Sequence, residues 1–74
     1  MKTRKTHEEF LEFCKGKKIY TEDEAIKELY DNNYKTYRQS VEHLYFEQTA
    51  YHDINYYYDK EKDIIIEDSY YIGD

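Results

Sequence analysis

The sequence of 74 residues lacks several of the features that narrow a protein's class. It has no proline, no tryptophan, two glycines and one cysteine. A single cysteine, Cys14, excludes an intramolecular disulfide and is typical of a reducing compartment. No apolar run exceeds three residues, so neither a membrane span nor a signal-peptide core is expected. We therefore expect a cytoplasmic protein that does not insert into a membrane.

Motifs for catalysis and metal binding are also missing. The histidines at 7, 43 and 52 are scattered, without the spacing of a metal site. Cys14 shares the apolar face of a predicted helix with Phe10, which favours a small buried hydrophobe over a nucleophile paired with a histidine. A chain this short can scarcely enclose a substrate pocket of several hundred Å³, on the order of what enzymes use. We expect no enzyme activity, no cofactor and no metal.

Charge is unevenly distributed along the chain. The 17 acidic and 11 basic residues give a net charge of −6. Residues 1–18 hold six basic and three acidic residues (+3), whereas residues 19–74 hold five basic and fourteen acidic residues (−9). We predict a basic N-terminal arm at 1–5 and a single domain over 6–74. The acidic excess argues against general affinity for nucleic acid or anionic membrane and favours a basic partner, although solubility alone would also explain it.

Three capping boxes predict where helices begin. In each, a threonine stands three positions before a Glu or Gln, so that the two side chains satisfy free backbone amides at the helix start. Apolar residues at helical spacing follow each threonine. The threonines are at 6, 21 and 36, and the helices are predicted over 7–15, 22–30 and 37–48. The inner face of the longest helix would carry Tyr37, Val41, Leu44, Tyr45 and Gln48.

The stretch NYYYDKEKDIII contains two β-prone runs on either side of five charged residues. It predicts a β-hairpin over 54–67 whose turn is Asp59–Asp63. Alternation along the first strand places Tyr57 on the opposite side from its two tyrosine neighbours. Ile19 and Tyr20 predict a short earlier strand. Residues 70–72 would form a further short strand or lie over the core.

The predicted fold class is therefore α+β, with three helices followed by a β-hairpin. This order resembles a winged helix-turn-helix domain over residues 6–68, in which 22–30 and 37–48 would be the paired helices and 54–67 the wing. The resemblance rests on element order and apolar spacing, and it implies a DNA-binding regulator. The sequence departs from it in the turn at 31–34, which lacks a small residue, and in the wing, which is acidic where DNA binders carry cations.

Our first hypothesis is an acidic, tyrosine-rich protein-binding inhibitor. In size and charge the chain is similar to the small inhibitors that phages and plasmids use against host defence, such as anti-CRISPR and anti-restriction proteins. That similarity implies a non-enzymatic protein that occludes the basic, nucleic-acid-binding surface of a larger protein, for instance a nucleic-acid-guided or other defence nuclease. The expected binding residues are Glu22, Asp23, Glu24, Glu28, Asp31, Tyr57, Asp59, Glu61, Asp63, Glu67, Asp68, Tyr70 and Tyr71.

DNA mimicry would need most of these carboxylates together. Glu24, Glu28 and Asp31 form one helical stripe with charges about 6 Å apart, whereas duplex DNA presents a charge every ~1.7 Å. The hairpin and tail carboxylates would have to join the stripe. The hypothesis therefore requires the carboxylates and the exposed rings to form one contiguous patch.

The alternative is a small winged-helix transcriptional regulator of a phage or plasmid. Lys35, Arg38 and Gln39 would lie on the outward face of the third helix with Glu42 and Phe46, and Arg and Gln read bases in the major groove. We rank this second and do not expect direct nucleic-acid binding, because Glu42 can pair with Arg38 one turn away. A third hypothesis is a self-associating protein, a homodimer that buries tyrosines between its copies.

Overall fold

A computed structural model describes residues 5–73 and shows a β-sheet with helices on both faces. Within these residues there are three helices and a four-stranded sheet of order β1-β4-β3-β2, in which β1 is parallel to β4 and the other neighbours are antiparallel. The α+β class is confirmed, but the strands are interspersed among the helices instead of following them as one hairpin. The elements are α1 (His7–Cys14), β1 (Lys18–Thr21), α2 (Glu22–Leu29), α3 (Tyr34–Ser40), β2 (Val41–Gln48), β3 (His52–Asp59) and β4 (Ile64–Tyr71).

The first two helices begin where local chemistry predicts. The Thr6 hydroxyl accepts a hydrogen bond from the Glu9 amide (3.2 Å), and the Glu9 carboxylate accepts one from the Thr6 amide (3.0 Å). Thr21 and Glu24 repeat the arrangement at the start of α2 (3.3 and 3.4 Å). Gly16, just beyond α1, has φ +77°, a conformation that glycine adopts without strain. The predicted boundaries of both helices are confirmed to within one residue.

The predicted third helix is wrong in its start and in its length. Asn33 is the N-cap of α3, because its side-chain oxygen accepts the Thr36 amide hydrogen bond at 3.0 Å. Thr36 is therefore inside the helix and does not cap it. The helix ends at Ser40, and residues 41–48 form β2 at the edge of the sheet.

A β-bulge explains why β2 has the residue spacing of a helix. The register between β2 and β3 shifts between His43 and Tyr45. Leu44 and Tyr45 consequently pack together under α1, while Val41 packs on the other face against α2 and α3. An inserted residue breaks the alternation of a strand, so the adjacent residues Leu44 and Tyr45 share a face, and together with Val41 they give the sequence the three-and-one spacing of a helix. Because of the bulge, the apolar pattern of residues 41–48 predicted a helix where the structure has a strand.

The core consists of two clusters, one on each face of the sheet. Ala25, Tyr30, Tyr37 and the isoleucines at 64 and 66 are buried between the sheet and the pair α2 and α3. Phe10, Leu44 and Ile65 are buried between the sheet and α1. Two tyrosines are thus among the most buried side chains, as expected for a chain with few aliphatic residues.

The predicted hairpin is confirmed as β3 and β4, which are longer than predicted. Its turn covers residues 60–63, where the Asp59 side chain accepts a hydrogen bond from the Lys62 amide at 3.0 Å and Asp63 has φ +55°. Tyr57 faces α3, on the opposite side from Tyr56, as predicted. Residues 70 and 71 continue β4 and are not a separate strand.

The predicted basic arm (1–5) and the predicted domain (6–74) both extend beyond the described residues. Residues 1–4 of the arm and residue 74 of the domain lie outside them. The remaining residue of the arm, Lys5, donates a backbone hydrogen bond to the Leu44 carbonyl at 3.3 Å. Over residues 5–73, no helix has the length and apolar character needed to cross a membrane.

Candidate functional site

An open cleft of about 210 Å³ lies where β1 runs into α2. Thr21 is both the last residue of β1 and the N-cap of α2, and it pairs with Glu67 of β4. Because no loop separates the strand from the helix, the acidic first turn of α2 lies beside the acidic part of β4. We call this the acidic cleft; it is lined by Thr21, Glu22, Asp23, Glu67, Asp68 and Ser69.

The four carboxylates of the acidic cleft have no cationic partner among residues 5–73. The two ion pairs in that part of the chain are Lys15–Glu12 at 3.2 Å and Lys17–Asp63 at 3.5 Å. The sequences of β2, β3 and β4 contain no Lys or Arg. Among residues 5–73, no salt bridge neutralises the carboxylates of the cleft, although the charge of Arg38 acts on Glu22.

Glu22 has the most unusual environment of the four. One of its carboxylate oxygens is buried without a hydrogen-bond partner, and so is the hydroxyl of its neighbour Tyr37. Burial raises the pKa of Glu22, while interaction with Tyr37 and the charge of Arg38 lower that pKa in part. Burial also raises the pKa of Tyr37, and the charge of Glu22 raises it further. The two groups thus influence each other without the geometry of a regular hydrogen bond.

Exposed aromatic residues lie next to this cleft, where β4 ends beside the β2–β3 turn. The rings of Tyr51 and Tyr71 stack with centroids 6.5 Å apart at an interplanar angle of 10°, although these residues are 60% and 62% exposed. His52 meets the Tyr71 ring edge-on at 5.5 Å, and the Ile72 amide donates to the Tyr51 carbonyl at 2.7 Å. We call Tyr51, His52, Tyr70, Tyr71 and Ile72 the tyrosine patch.

The acidic cleft and the tyrosine patch are continuous along β4. Residues alternate between the two faces of a strand, so Asp68 and Tyr70 share one face while Glu67, Ser69 and Tyr71 share the other. Carboxylates and rings therefore meet at one end of the sheet, on both of its faces. Glu22, Asp23, Glu67, Asp68, Tyr70 and Tyr71 of the predicted binding residues are brought together here.

The acidic residues of the hairpin turn lie at the opposite end of β4. Asp68 lies five positions after Asp63, which corresponds to about 17 Å along a strand. Asp63 accepts a hydrogen bond from the Tyr58 hydroxyl at 2.6 Å and pairs with Lys17, and chiefly the hydrogen bond lowers its pKa. Glu61 is exposed in the turn. The turn is therefore a second acidic region, separate from the acidic cleft.

Asp59 was wrongly predicted as a partner-binding residue. It is 1% exposed, and its carboxylate accepts hydrogen bonds from the Tyr30 hydroxyl at 2.5 Å and from the Lys62 amide. A carboxylate so enclosed contributes to folding and cannot contact a partner.

The remaining predicted binding residues lie on the helical side of the sheet. The Glu24 carboxylate is used in the capping box of α2, while Glu28 and Asp31 are exposed at the far end of that helix and in the following turn. Tyr57 is half-buried beneath Arg38, whose guanidinium lies 5.8 Å from the ring centroid.

The alternative DNA-binding residues Lys35, Arg38 and Gln39 are exposed on α3, which has seven residues. The Arg38 guanidinium lies over the Tyr34 ring at 5.1 Å, and its Nε donates to the Tyr34 hydroxyl at 3.1 Å. The outward face predicted to include Glu42 and Phe46 does not form, because both of these residues belong to β2.

Among residues 5–73, no three His, Cys, Asp or Glu side chains converge closely enough to hold a metal ion. Cys14 is half-buried, and burial raises the pKa of its thiol, which reduces the thiolate fraction needed for nucleophilic attack.

Five residues of this surface were not predicted from the sequence: Thr21, Tyr51, His52, Ser69 and Ile72. Only the position of Tyr51 between two predicted elements hinted at exposure. No protein-family model, no curated protein and no solved structure matches this chain. The winged-helix and anti-defence resemblances thus stay predictions.

Proposed function

We propose that this protein is a stoichiometric binding protein, not an enzyme, and that it covers a basic, nucleic-acid-binding surface of a larger protein. The observation that carries the proposal is the continuity of the acidic cleft and the tyrosine patch at an end of the sheet whose strands β2 to β4 contain no cation. As the partner class we propose a nucleic-acid-guided or other defence nuclease, inhibited in the anti-CRISPR manner.

The two parts of this surface supply different contributions to binding. Exposed tyrosines offer large contact areas and lose little rotamer freedom, which suits them as anchors. The Tyr51–Tyr71 stack holds two such rings in place before binding. Unpaired carboxylates steer a basic partner and raise its association rate, an effect that weakens as salt increases.

Steric occlusion is the mechanism that this arrangement favours over extended DNA mimicry. The acidic cleft and the hairpin turn are about 17 Å apart along β4, with the buried isoleucines of the core between them. A single compact acidic end can block a basic groove, whereas a continuous row of phosphate-like charges would require carboxylates along the whole strand.

The proposal is tested by capture from a lysate of the native host at low salt, followed by elution with a salt gradient. The cleft variant Glu67→Gln/Asp68→Asn is compared with the matched control Glu28→Gln/Asp31→Asn, which loses the same charge at the far end of α2 and in the turn that follows it. We expect wild type and control to retain the same basic nucleic-acid-binding protein and to release it as salt rises, and the cleft variant to lose it.

Two results would contradict the proposal. One is equal retention of that protein by the cleft variant. The other is retardation of duplex DNA by the purified wild type at moderate salt, with loss of that retardation in Arg38→Ala, which would support the DNA-binding regulator.

A further inference from the structure

The strand β4 has a neighbour on each side over only its first half. β1 pairs with residues 64–67 and then runs into α2, whereas β3 pairs with β4 over residues 64–71. Among residues 5–73, the stretch 68–71 therefore has a paired edge and an open edge. We propose that an extended segment of the partner, carrying basic residues, pairs with this open edge as an added strand. The inference rests on the proposed function and states how the partner is held.

The direction of the backbone groups identifies the residues that the added strand would pair with. The Ile72 amide donates to the Tyr51 carbonyl at 2.7 Å, so residue 72 belongs to a hydrogen-bonded pair with the β3 side. Hydrogen-bonded and non-hydrogen-bonded pairs alternate along an antiparallel ladder. In the register of β3 and β4, the N–H and C=O groups of Ser69 and Tyr71 therefore point away from β3. Among residues 5–73, these groups have no backbone partner.

The position next to this edge is open. β1 ends at Thr21, and beyond that end lies the acidic cleft, with an open volume of about 210 Å³. Ser69, Tyr70 and Tyr71 are exposed, whereas the isoleucines of β4 are buried. Residues 68–71 extend over about 13 Å, which is enough for a segment of about four residues. An unpaired strand edge is a template for a further strand, and peptides bind to many proteins in this way.

Charge selects a basic segment as the occupant. Ile66 packs on the α2 face of β4 and Ile65 on the α1 face, so by alternation Asp68 lies on the α2 face and Glu67 on the α1 face. An added strand also has side chains on both faces, so neighbouring basic residues can meet carboxylates on both. A second copy of this chain, paired through the same edge, would bring two acidic clefts together, and like charges across strands are destabilising.

The probe is the peptide acetyl-Thr-Arg-Arg-Thr-Arg-Arg-Thr-amide, added to isotope-labelled protein while amide hydrogen exchange is followed by NMR. In the free protein we expect fast exchange at Ser69 and Tyr71 and slow exchange at Tyr70 and Ile72, whose amides face β3. With the peptide at about ten times its dissociation constant, exchange at Ser69 and Tyr71 should slow about tenfold, because only the free edge exchanges. Exchange at Tyr70 and Ile72 should change by less than about twofold.

Two matched peptides separate backbone pairing from charge. An analogue with N-methylated backbone amides keeps every arginine but cannot donate backbone hydrogen bonds, and we expect it to leave the exchange at Ser69 and Tyr71 unchanged. An analogue with citrulline in place of arginine keeps the backbone donors and loses the charge, and its affinity should be about tenfold lower.

The variant Ser69→Pro tests the edge from the side of the protein. It removes an outward N–H group, and proline is tolerated on the open edge of a strand. We expect this variant to lose the binding of the arginine peptide, while its spectrum reports whether it is folded. The wild-type exchange pattern and the two matched peptides test the inference independently of this variant.

Several results would overturn the inference. They are equal protection by the N-methylated peptide, protection of Tyr70 and Ile72 in place of Ser69 and Tyr71, and the absence of any effect of the arginine peptide. Slow exchange at Ser69 and Tyr71 without peptide would also overturn it, and an increase of that protection with protein concentration would identify a second copy as the occupant.

The outcome is distinguishable from that of the proposed function. Failure of the arginine peptide to protect the edge, combined with salt-sensitive capture that depends on Glu67 and Asp68, would overturn the added strand alone. Protection of the edge by the peptide, without retention of any basic protein from the lysate, would support the added strand and overturn the proposed function.

Discussion

The hydrogen bond from Tyr30 to Asp59 joins the end of α2 to the β3–β4 turn and allows a quantitative prediction. The two side chains belong to residues that are 4% and 1% exposed, and the hydroxyl donates to the carboxylate at 2.5 Å. The second carboxylate oxygen accepts a bond from the Lys62 amide within the turn. Burial, followed by the bond to Asp59, raises the pKa of Tyr30, so its hydroxyl remains a donor throughout the neutral range.

Replacing Tyr30 with Phe removes this donor and leaves one oxygen of a buried carboxylate unpaired. A hydrogen bond to a charged group contributes about 1.5–3 kcal/mol. The Lys62 ammonium lies 5.0 Å from the ring centroid, and this contact survives the substitution. We therefore expect Tyr30→Phe to lower the free energy of unfolding by about 2 kcal/mol. A domain of this length has roughly 4–11 kcal/mol in total, so the melting temperature should fall by about 8–16 °C.

The assay is urea unfolding near pH ~7 followed by far-UV circular dichroism, with Tyr51→Phe as the matched control. Tyr51 is 60% exposed, so the same chemical change there should alter the free energy of unfolding by less than about 0.5 kcal/mol. In an Asp59→Ala background, Tyr30→Phe should cost much less, because no buried carboxylate would remain to be paired. Equal unfolding midpoints for Tyr30→Phe and Tyr51→Phe would refute the stabilising role of the Tyr30–Asp59 hydrogen bond.

Two further predictions test the start of α3 and the charge of the acidic cleft. Because Asn33 is the N-cap of α3, Asn33→Ala should lower the free energy of unfolding by about 1 kcal/mol, and Thr36→Ala should lower it by less than half of that. A larger loss of stability in Thr36→Ala than in Asn33→Ala, measured by urea unfolding, would contradict this assignment of the N-cap. The pKa of Glu22 is raised in the folded protein, so the stabilisation linked to its protonated form is lost as pH rises through that pKa. Unfolding of wild type and Glu22→Gln at pH values from about 4 to 7 should show wild type losing stability relative to the variant as pH rises, and the opposite trend would refute the direction of the shift.

The parts of the fold that were predicted correctly depend on interactions over a few residues. Capping boxes join side chains to amides three positions away, so the helix starts at Thr6 and Thr21 depend on neighbours in the sequence and not on distant parts of the chain. The hairpin likewise follows from β-prone runs around a charged turn. The third capping pattern predicted Thr36 as the N-cap, whereas Asn33, three residues earlier, caps the helix. A local sequence pattern does not decide between two possible N-caps.

The residue types of the candidate site were predicted from the sequence, but not which of these residues lie together in the fold. Carboxylates and surplus tyrosines were recognised from composition, whereas their distribution between two ends of β4 required the register of the sheet. Asp59 illustrates the limit, since the same residue type is buried at 1% exposure while Asp63, four positions later, is exposed. A charged residue is expected to be exposed to solvent, and Asp59 is buried because it packs against Tyr30 and accepts a hydrogen bond from its hydroxyl.

The sequence by itself determined the acidic balance, the absence of Lys and Arg from residues 41–59 and 64–71, two helix starts and the turn of the hairpin. Each of these depends on composition or on contacts between near neighbours. Tertiary structure alone decided that residues 41–48 form an edge strand and that the first turn of α2 meets β4. The physical reason is that strands pair through backbone hydrogen bonds between residues far apart in the sequence. The hydrogen bonds between β2 and β3 outweigh the helical spacing of residues 41–48. The parallel pairing of β1 with β4 brings together carboxylates more than forty residues apart.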